Sequence, residues 1–392
     1  MHMRTGEPRR PRQRLTPGRA TAQIVPPALR TAQRDPLAGT RRLASHACEM
    51  FATCRLRGTP GGLGTVPPIM LIYAGIDEAG YGPMLGPLCV GCCAFVLEGA
   101  DPAAGAPNLW SILGDAVCRS KSDGRKRIAI DDSKKLKGAK TSKTTHPLKH
   151  LERAVLAFTA TEGDLPADDA ALFERLGVRV ADRPWYASTT ALPLGQSGEE
   201  LHIASARLHR AMDSAAARCR LLHCEAIDAQ TFNEGVQRMG RKSNVNFGAA
   251  MRLADAVWRA WPRDHPRVIV DRQGGRTHYL RQLQMTWPEA HIRIVAESEE
   301  VSRYRLDRGG SLLTISFRQE SETRHLPVAL ASMIAKYVRE LLMLRLNRFF
   351  TGHMPELKPT AGYVQDGRRY LAEIAPLIDE LRLPRRSLVR SV

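Results

Sequence analysis

The sequence predicts a mixed α/β fold around a central sheet. Leu71 to Ile76 (LIYAGI) and Leu88 to Leu97 (LCVGCCAFVL) are apolar runs of strand length on either side of a Gly/Pro turn signal. Val268 to Val270 (VIV) and His291 to Val295 (HIRIV) are later strand signals separated by a helical pattern. Pro327 to Phe350 has Pro in its first turn and is rich in Ala, Leu, Met and Ile, as a long packed helix requires. Strands interleaved with helices bury a sheet under helical layers.

The elements follow in order. The first strand ends in Asp77-Glu78, and Ala79 to Pro83 reads as a turn. With the second strand it forms an antiparallel pair. Residues 99–107 are a Gly/Ala/Pro loop, and residues 121–150 are strongly basic around Asp131 to Leu136. Leu148 to Phe158, Leu201 to Leu222 and Phe247 to Trp258 read as helices, with residues 161–201 as an insertion. Val268 to Val270 runs into Asp271, and a helix follows around His278 to Met285. Tyr304 to Leu306 and Leu312 to Phe317 flank Gly309-Gly310 as a hairpin. A last helix is expected near Tyr370 to Glu380, before a basic tail.

Composition narrows the class. The chain has 392 residues, 43% hydrophobic and 25% charged, which is ordinary globular usage. No uncharged apolar stretch is long enough for a membrane span. The net charge is +18, a balance that suits an acidic partner such as nucleic acid. Residues 1–69 hold 12 Arg, no Lys and 3 acidic residues, so half of that excess lies there. That segment has no structural period and reads as a disordered tail, a targeting peptide or a misassigned start ahead of Met70. The 8 Cys lack zinc-like spacing. Cys92, Cys93, Cys219 and Cys224 fit apolar or helical patterns, as buried thiols in a reducing, cytoplasmic compartment.

Four carboxylates stand out by position. Asp77 and Glu78 end one apolar strand, Asp271 ends another, and Glu340 lies inside the long helix. Central strands lie roughly 4.8 Å apart, so carboxylates at two strand ends can share one site. Asp77 and Glu78 point to opposite faces if their strand is regular, and a turn there would bring both inward. Clustered carboxylates repel unless a hard cation neutralises them, and oxygen donors suit Mg²⁺ or Mn²⁺. The bland readings are a turn or cap for each Asp and an ion pair with Arg339 or Arg345 for Glu340.

Taken together, the motifs resemble those of the ribonuclease HII family. Gly75-Ile76-Asp77-Glu78-Ala79-Gly80-Tyr81-Gly82-Pro83-Met84-Leu85-Gly86-Pro87 is similar to its opening active-site motif. Asp132-Ser133-Lys134-Lys135-Leu136 resembles its second signature, and Val270-Asp271 the strand with its third carboxylate. Ala331-Ser332-Met333-Ile334-Ala335-Lys336 resembles its helical signature and Gly362-Tyr363 its late Gly-Tyr element, all in family order. Ala79 and Pro83 favour type II over the related type III enzymes.

The resemblance implies a ribonuclease H-like fold: a mixed five-stranded sheet flanked by helices, with a helical C-terminal extension. It implies a catalytic domain over 70–350, with insertions near 100–127, 160–200 and 300–318, and an extension with a basic tail over 351–392. The implied activity is endonucleolytic cleavage of RNA in RNA–DNA hybrids, and 5′ of single ribonucleotides in duplex DNA, with Mg²⁺ or Mn²⁺. The implied catalytic and metal-binding residues are Asp77, Glu78, Asp271 and Glu340, and the implied substrate contacts are Gly80, Tyr81, Gly82, Lys134, Lys135, Lys336 and Tyr363. The implied partner is an RNA–DNA hybrid or ribonucleotide-containing duplex.

The chain departs from the family in two places. Glu340 stands where the family has Asp, which adds a methylene to a ligand whose geometry is strict. Tyr81 stands where the family has Arg, which removes a cation at the junction-sensing loop. Glu322, upstream of the helical signature, reads as a surface glutamate beside the hairpin or as a reinforcement of the carboxylates, while Arg272 and Arg276 have no family counterpart. These departures leave two other functions open: a nucleic-acid-binding protein with a weakened or lost ribonuclease site, or a nuclease for another structured nucleic acid.

Overall fold

The computed structural model describes residues 70–123, 125–138 and 146–391. The expectations for residues 1–69 lie outside the described residues. The strands are β1 (Met70–Ala79), β2 (Leu88–Glu98), β3 (Val117–Cys118), β4 (Ile128–Ala129), β5 (Ala217–Ile227), β6 (Arg267–Asp271), β7 (His291–Glu297), β8 (Val301–Arg308) and β9 (Ser311–Arg318). The helices are α1 (Leu109–Ile112), α2 (Ser133–Leu136), α3 (Lys149–Thr159), α4 (Asp169–Arg175), α5 (Gly198–Ser214), α6 (Ala229–Met239), α7 (Lys242–Ala260), α8 (Leu280–Thr286), α9 (Leu326–His353), α10 (Val364–Glu373), α11 (Ala375–Glu380) and α12 (Arg385–Leu388).

The main sheet has seven strands in the order β5-β2-β1-β6-β9-β8-β7. β5, β2 and β1 pair antiparallel, while β6 and β9 run parallel to β1. These five form the expected mixed five-stranded sheet. β8 and β7 extend it by antiparallel pairing beyond β9. Residues 301–318 thus build sheet, including a strand of the five-stranded block.

Alternation of side chains splits the core into two layers. Leu71 and Tyr73 of β1, with Cys93 and Phe95 of β2, join Val328, Leu330 and Ile334 of α9. Ile72, Ala74 and Ile76, with Cys92 and Ala94, join Ala250, Leu253 and Trp258 of α7 on the other side. Gly75 lets α9 touch the sheet: a Cβ there would lie 2.2 Å from the Pro327 carbonyl carbon.

Two expectations need correction. The helix expected over Leu201 to Leu222 ends at Ser214, and Ala217–Ile227 is strand β5. Ala216, at φ 47°, sits between the two elements. Buried Ala217 and Cys219 alternate with half-exposed Arg218 and Arg220, a period-two pattern hidden beside the helix. Cys219 and Cys224 are therefore strand residues, both buried and free. The helix expected near Tyr370 to Glu380 is two helices, α10 and α11, which meet at Ile374 with Pro376 in the first turn of the second. Among the described residues, no helix is long and apolar enough to cross a membrane.

Candidate functional site

β1 stays regular through its carboxylates: Asp77 pairs with Gly91, Glu78 with Val90 and Ala79 with Cys89. The turn begins one residue later, at Gly80, whose φ of 83° favours glycine. Asp77 and Glu78 therefore face opposite sides of the sheet. Asp77 lies on the α9 side, beside the Ser332 hydroxyl, and its Oδ1 accepts the Glu78 N–H at 2.7 Å. Burial, then the charges of Glu78 and Asp271, push its pKa well above the usual carboxylate range. Glu78 lies on the α7 side, where burial raises its pKa to about 7 against the restraining effect of neighbouring Asn246.

Asp271 ends the adjacent parallel strand. Its Oδ1 accepts hydrogen bonds from the Ser321 N–H at 3.0 Å and the Ser321 hydroxyl at 2.8 Å. Glu322 lies beside it, and burial raises the pKa of both carboxyls.

Glu340 sits two turns beyond Ser332 on α9, in different electrostatic company. Its Oε1 lies 2.7 Å from Lys137 Nζ, 3.0 Å from Lys336 Nζ and 3.8 Å from an Arg339 guanidinium nitrogen. Burial alone would raise its pKa, but Lys336 and Lys137 outweigh that and hold it at about 2.

Hard oxygen donors suit Mg²⁺ or Mn²⁺, so the donor chemistry is appropriate. The placement is not. Among the described residues, no three His, Cys, Asp or Glu side chains gather as a metal site. Asp77, Glu78 and Asp271 influence one another electrostatically, but strand alternation turns the Asp77 and Glu78 side chains apart, and cations already neutralise Glu340. The residues do not fit the ion in this arrangement.

The substrate candidates divide into two groups. Gly80, Tyr81 and Gly82 form the loop after β1, and Lys242 Nζ lies 5.1 Å from the centre of the Tyr81 ring. Gly362 carbonyl accepts the N–H groups of Met84 at 2.8 Å and Leu85 at 3.1 Å, which places the exposed Tyr363 next to that loop. Ser133 and Ser332 hydroxyls meet at 3.0 Å and tie α2, with Lys134 and Lys135, to α9. Lys134 acts electrostatically on Glu78, whereas exposed Lys135 lies 3.7 Å from Asp131. Lys336 is engaged by Glu340. Arg272 reaches the Ser298–Glu299 carbonyls, and an Arg276 guanidinium nitrogen donates to Asn244 at 3.3 Å.

Sequence reasoning missed Asn246 and Arg390, and gave Arg339 only as an ion-pair partner of Glu340. Buried Asn246 stands beside Glu78, yet neither amide atom completes a hydrogen bond. A lone amide next to the apolar run from Phe247 was its signal. Buried Arg339 donates to the carbonyls of Leu85 at 3.2 Å and Ala361 at 3.0 Å. Arg390, in the basic tail, donates to the carbonyls of Gly80, at 2.6 Å, and Pro83. Nothing in its local sequence set it apart.

No protein-family model and no curated protein matches the chain. Among solved structures it is similar to ribonuclease HII from Archaeoglobus fulgidus, solved in complex with PCNA. That match has 18% identity and a TM-score of 0.37, covering 82% of this chain and 94% of the other. Ribonuclease H2 from Pyrococcus horikoshii OT3 is similar at 15% identity and TM-score 0.36, over 81% and 92% of the two chains. Ribonuclease H3 from Aquifex aeolicus is similar at 13% identity and TM-score 0.30, over 81% and 71%. The chain itself shows a mixed five-stranded sheet block extended by two strands, helices on both sheet faces and a C-terminal helical extension.

Proposed function

We propose that the chain is a nucleic-acid-binding protein of ribonuclease H-like architecture with a weakened hydrolytic centre. The observation that carries this reading is the state of Glu340, whose carboxylate is neutralised by Lys137 and Lys336. A ligand for a second cation needs that charge available, and two ammonium groups compete for it. The opposite facing of Asp77 and Glu78 supports the same reading. The net +18 charge and Lys134, whose charge acts on Glu78, suit a phosphate backbone. The partner proposed is an RNA–DNA hybrid or a ribonucleotide-containing duplex, with Tyr81 and Tyr363 offering ring faces near the Gly80 loop.

One observation favours an active nuclease instead. Beyond the larger effect of burial, Asp77 is pushed up by both Glu78 and Asp271, a mutual repulsion that a divalent cation would relieve. In that reading the chain would act on a hybrid with Mg²⁺ or Mn²⁺ as the bound ions.

Binding is tested with a labelled RNA–DNA hybrid, a DNA duplex and an RNA duplex over a salt series. The expected result is hybrid binding that weakens steeply with salt, and weakens further in Lys134→Ala. Salt-independent binding, or no binding to any of the three, contradicts the reading.

A further inference from the structure

The sheet extension carries a charged face that neither the fold nor the carboxylates require. On the Asp271 side of β6, β9, β8 and β7, strand alternation places Arg267, Arg318, Arg303, Arg305 and Arg293. The pairing sets three of them in one row: Arg267 faces Thr314, Thr314 faces Arg305, and Arg305 faces Arg293. Arg318 lies opposite Asp271 in the adjoining ladder, so this face runs directly into the carboxylate region.

The opposite side of these strands is ordinary core, built from Tyr304, Leu306, Leu313, Ile315 and Phe317. Helix α9 packs over β1, β2 and β5 and touches β6, while its main contacts do not include β7, β8 or β9. Arg305 and Arg293 are exposed, and Arg303, Leu312 and Thr314 are half-exposed.

Among the described residues, none of the five arginines has a carboxylate at ion-pair distance. Arg303 donates only to the Ser316 hydroxyl, at 3.1 Å, and Arg267 to the His265 carbonyl and Thr314 hydroxyl. Burial, then the charges of Arg305 and Arg303, lower the pKa of Arg267. Like charges directly across a ladder are destabilising. Asp307 is the one acidic residue that strand alternation adds to the far end, and its Oδ1 already accepts the Gly310 N–H at 2.8 Å. Planar guanidiniums match phosphate in a way that ammonium groups do not.

We propose that this arginine face binds the phosphate backbone of a nucleic-acid duplex whose other end lies at the carboxylates. The inference rests on the nucleic-acid reading above and adds where the flanking duplex runs. Arg267 and its row lie four residue steps before Asp271 along β6, a span of roughly 13 Å. The row crosses four strands, roughly 14 Å from end to end. The face therefore adds contacts only for a duplex that extends past the carboxylates. An acidic protein would meet the same charges but has no reason to depend on duplex length.

The test uses the full chain and RNA–DNA hybrids of about 4 base pairs, with the strands joined by an uncharged linker to keep them paired, and of about 20 base pairs, each pair adding roughly 3.4 Å. Arg293→Ala/Arg305→Ala is compared with wild type and with Arg210→Ala/Arg238→Ala, which removes equal charge from exposed positions on α5 and α6. The face variant is expected to bind the long hybrid on the order of tenfold more weakly at 0.1 M salt, with the slope against log salt reduced by about 2. The short hybrid should bind unchanged, and the control variant should match wild type on both. Arg305→Lys/Arg293→Lys should recover most of the slope, and unchanged thermal unfolding of the alanine variant excludes misfolding. If wild type binds but the face variant matches it at both lengths, the arginine face is overturned and the nucleic-acid reading stands. If wild type binds neither length, both fall.

Discussion

Lys137 Nζ lies 2.7 Å from Glu340 Oε1, joining the chain just after α2 to the middle of α9. With Lys336 at 3.0 Å, one carboxylate answers two ammonium groups in a largely buried setting. The Asp132 to Leu136 motif and the helical motif are thus coupled through a salt bridge as well as through the Ser133–Ser332 hydroxyl contact. The same contact that fastens the two motifs occupies the carboxylate that would complete a metal centre.

The first prediction concerns this ion pair and pH. Glu340 has its pKa lowered from 4.5 to about 2, so its stabilisation is present above its unfolded value. It is lost as pH falls from about 4.5 to about 2. Glu340→Gln should cost about 2–3 kcal/mol at pH 7, and the gap to wild type should close near pH 2. Urea midpoints across that range measure it. A constant gap at every pH would mean that packing, rather than charge, sets the cost.

Glu78 has the opposite sign. Its pKa is raised from 4.5 to about 7, so the folded state is penalised as pH rises through that window. Glu78→Gln should be more stable than wild type by about 2 kcal/mol at pH 8 and equal to it at pH 4. A loss of stability at pH 8 would show that the carboxylate has favourable partners the account omits.

The C-terminal tail should hold the Gly80 loop in place. Arg390 donates to the carbonyls of Gly80 and Pro83, and its own N–H bonds to the Met84 carbonyl at 2.9 Å. Asn233 secures the tail by donating to the Val389 carbonyl at 2.8 Å. Arg390→Met should leave buried carbonyls unpaired at a cost of about 1–3 kcal/mol. Amide hydrogen exchange over Tyr81 to Leu85 should quicken by about tenfold while α9 stays protected. Exchange that rises equally in both would mean global destabilisation, without a specific hold on the loop.

Gly75 should tolerate no side chain. A Cβ would lie 2.2 Å from the Pro327 carbonyl carbon and 2.3 Å from the Val328 nitrogen, both backbone atoms that cannot rotate away. Gly75→Ala should therefore cost about 3 kcal/mol or more by lifting the start of α9 from the sheet. A change under about 1 kcal/mol, within the range of ordinary surface or packing substitutions, would place α9 farther from β1 than described.

Much of this architecture was legible because its strands are apolar runs and its longest helix begins at a proline. β1, β2, α7 and α9 follow from burial patterns that no local feature contradicts. β5 was not legible, since ARCRLLHCEAI adjoins a true amphipathic helix and shares its apolar content. The dual faces of Asp77 and Glu78 depended on whether β1 stayed regular past Ile76, and only its pairing with Val90 and Cys89 decides that. Glu340 was visible as a residue, but its partner Lys137 lies far away in sequence. Arg390 and Asn246 act through contacts formed only on folding, which no spacing rule encodes.

The central claim is tested most directly by single-turnover cleavage of a fully bound RNA–DNA hybrid, in Mg²⁺ and in Mn²⁺, with Asp77→Asn as the control. Binding is first saturated at low salt, so that weak affinity cannot pass for slow chemistry. The account predicts retained binding with cleavage at least about 100-fold slower than a well-placed site would give, since a shift near 1 Å costs that much. Rapid cutting of the bound hybrid that disappears in Asp77→Asn would contradict it, and would mean that substrate and metal draw Asp77, Glu78, Asp271 and Glu340 together.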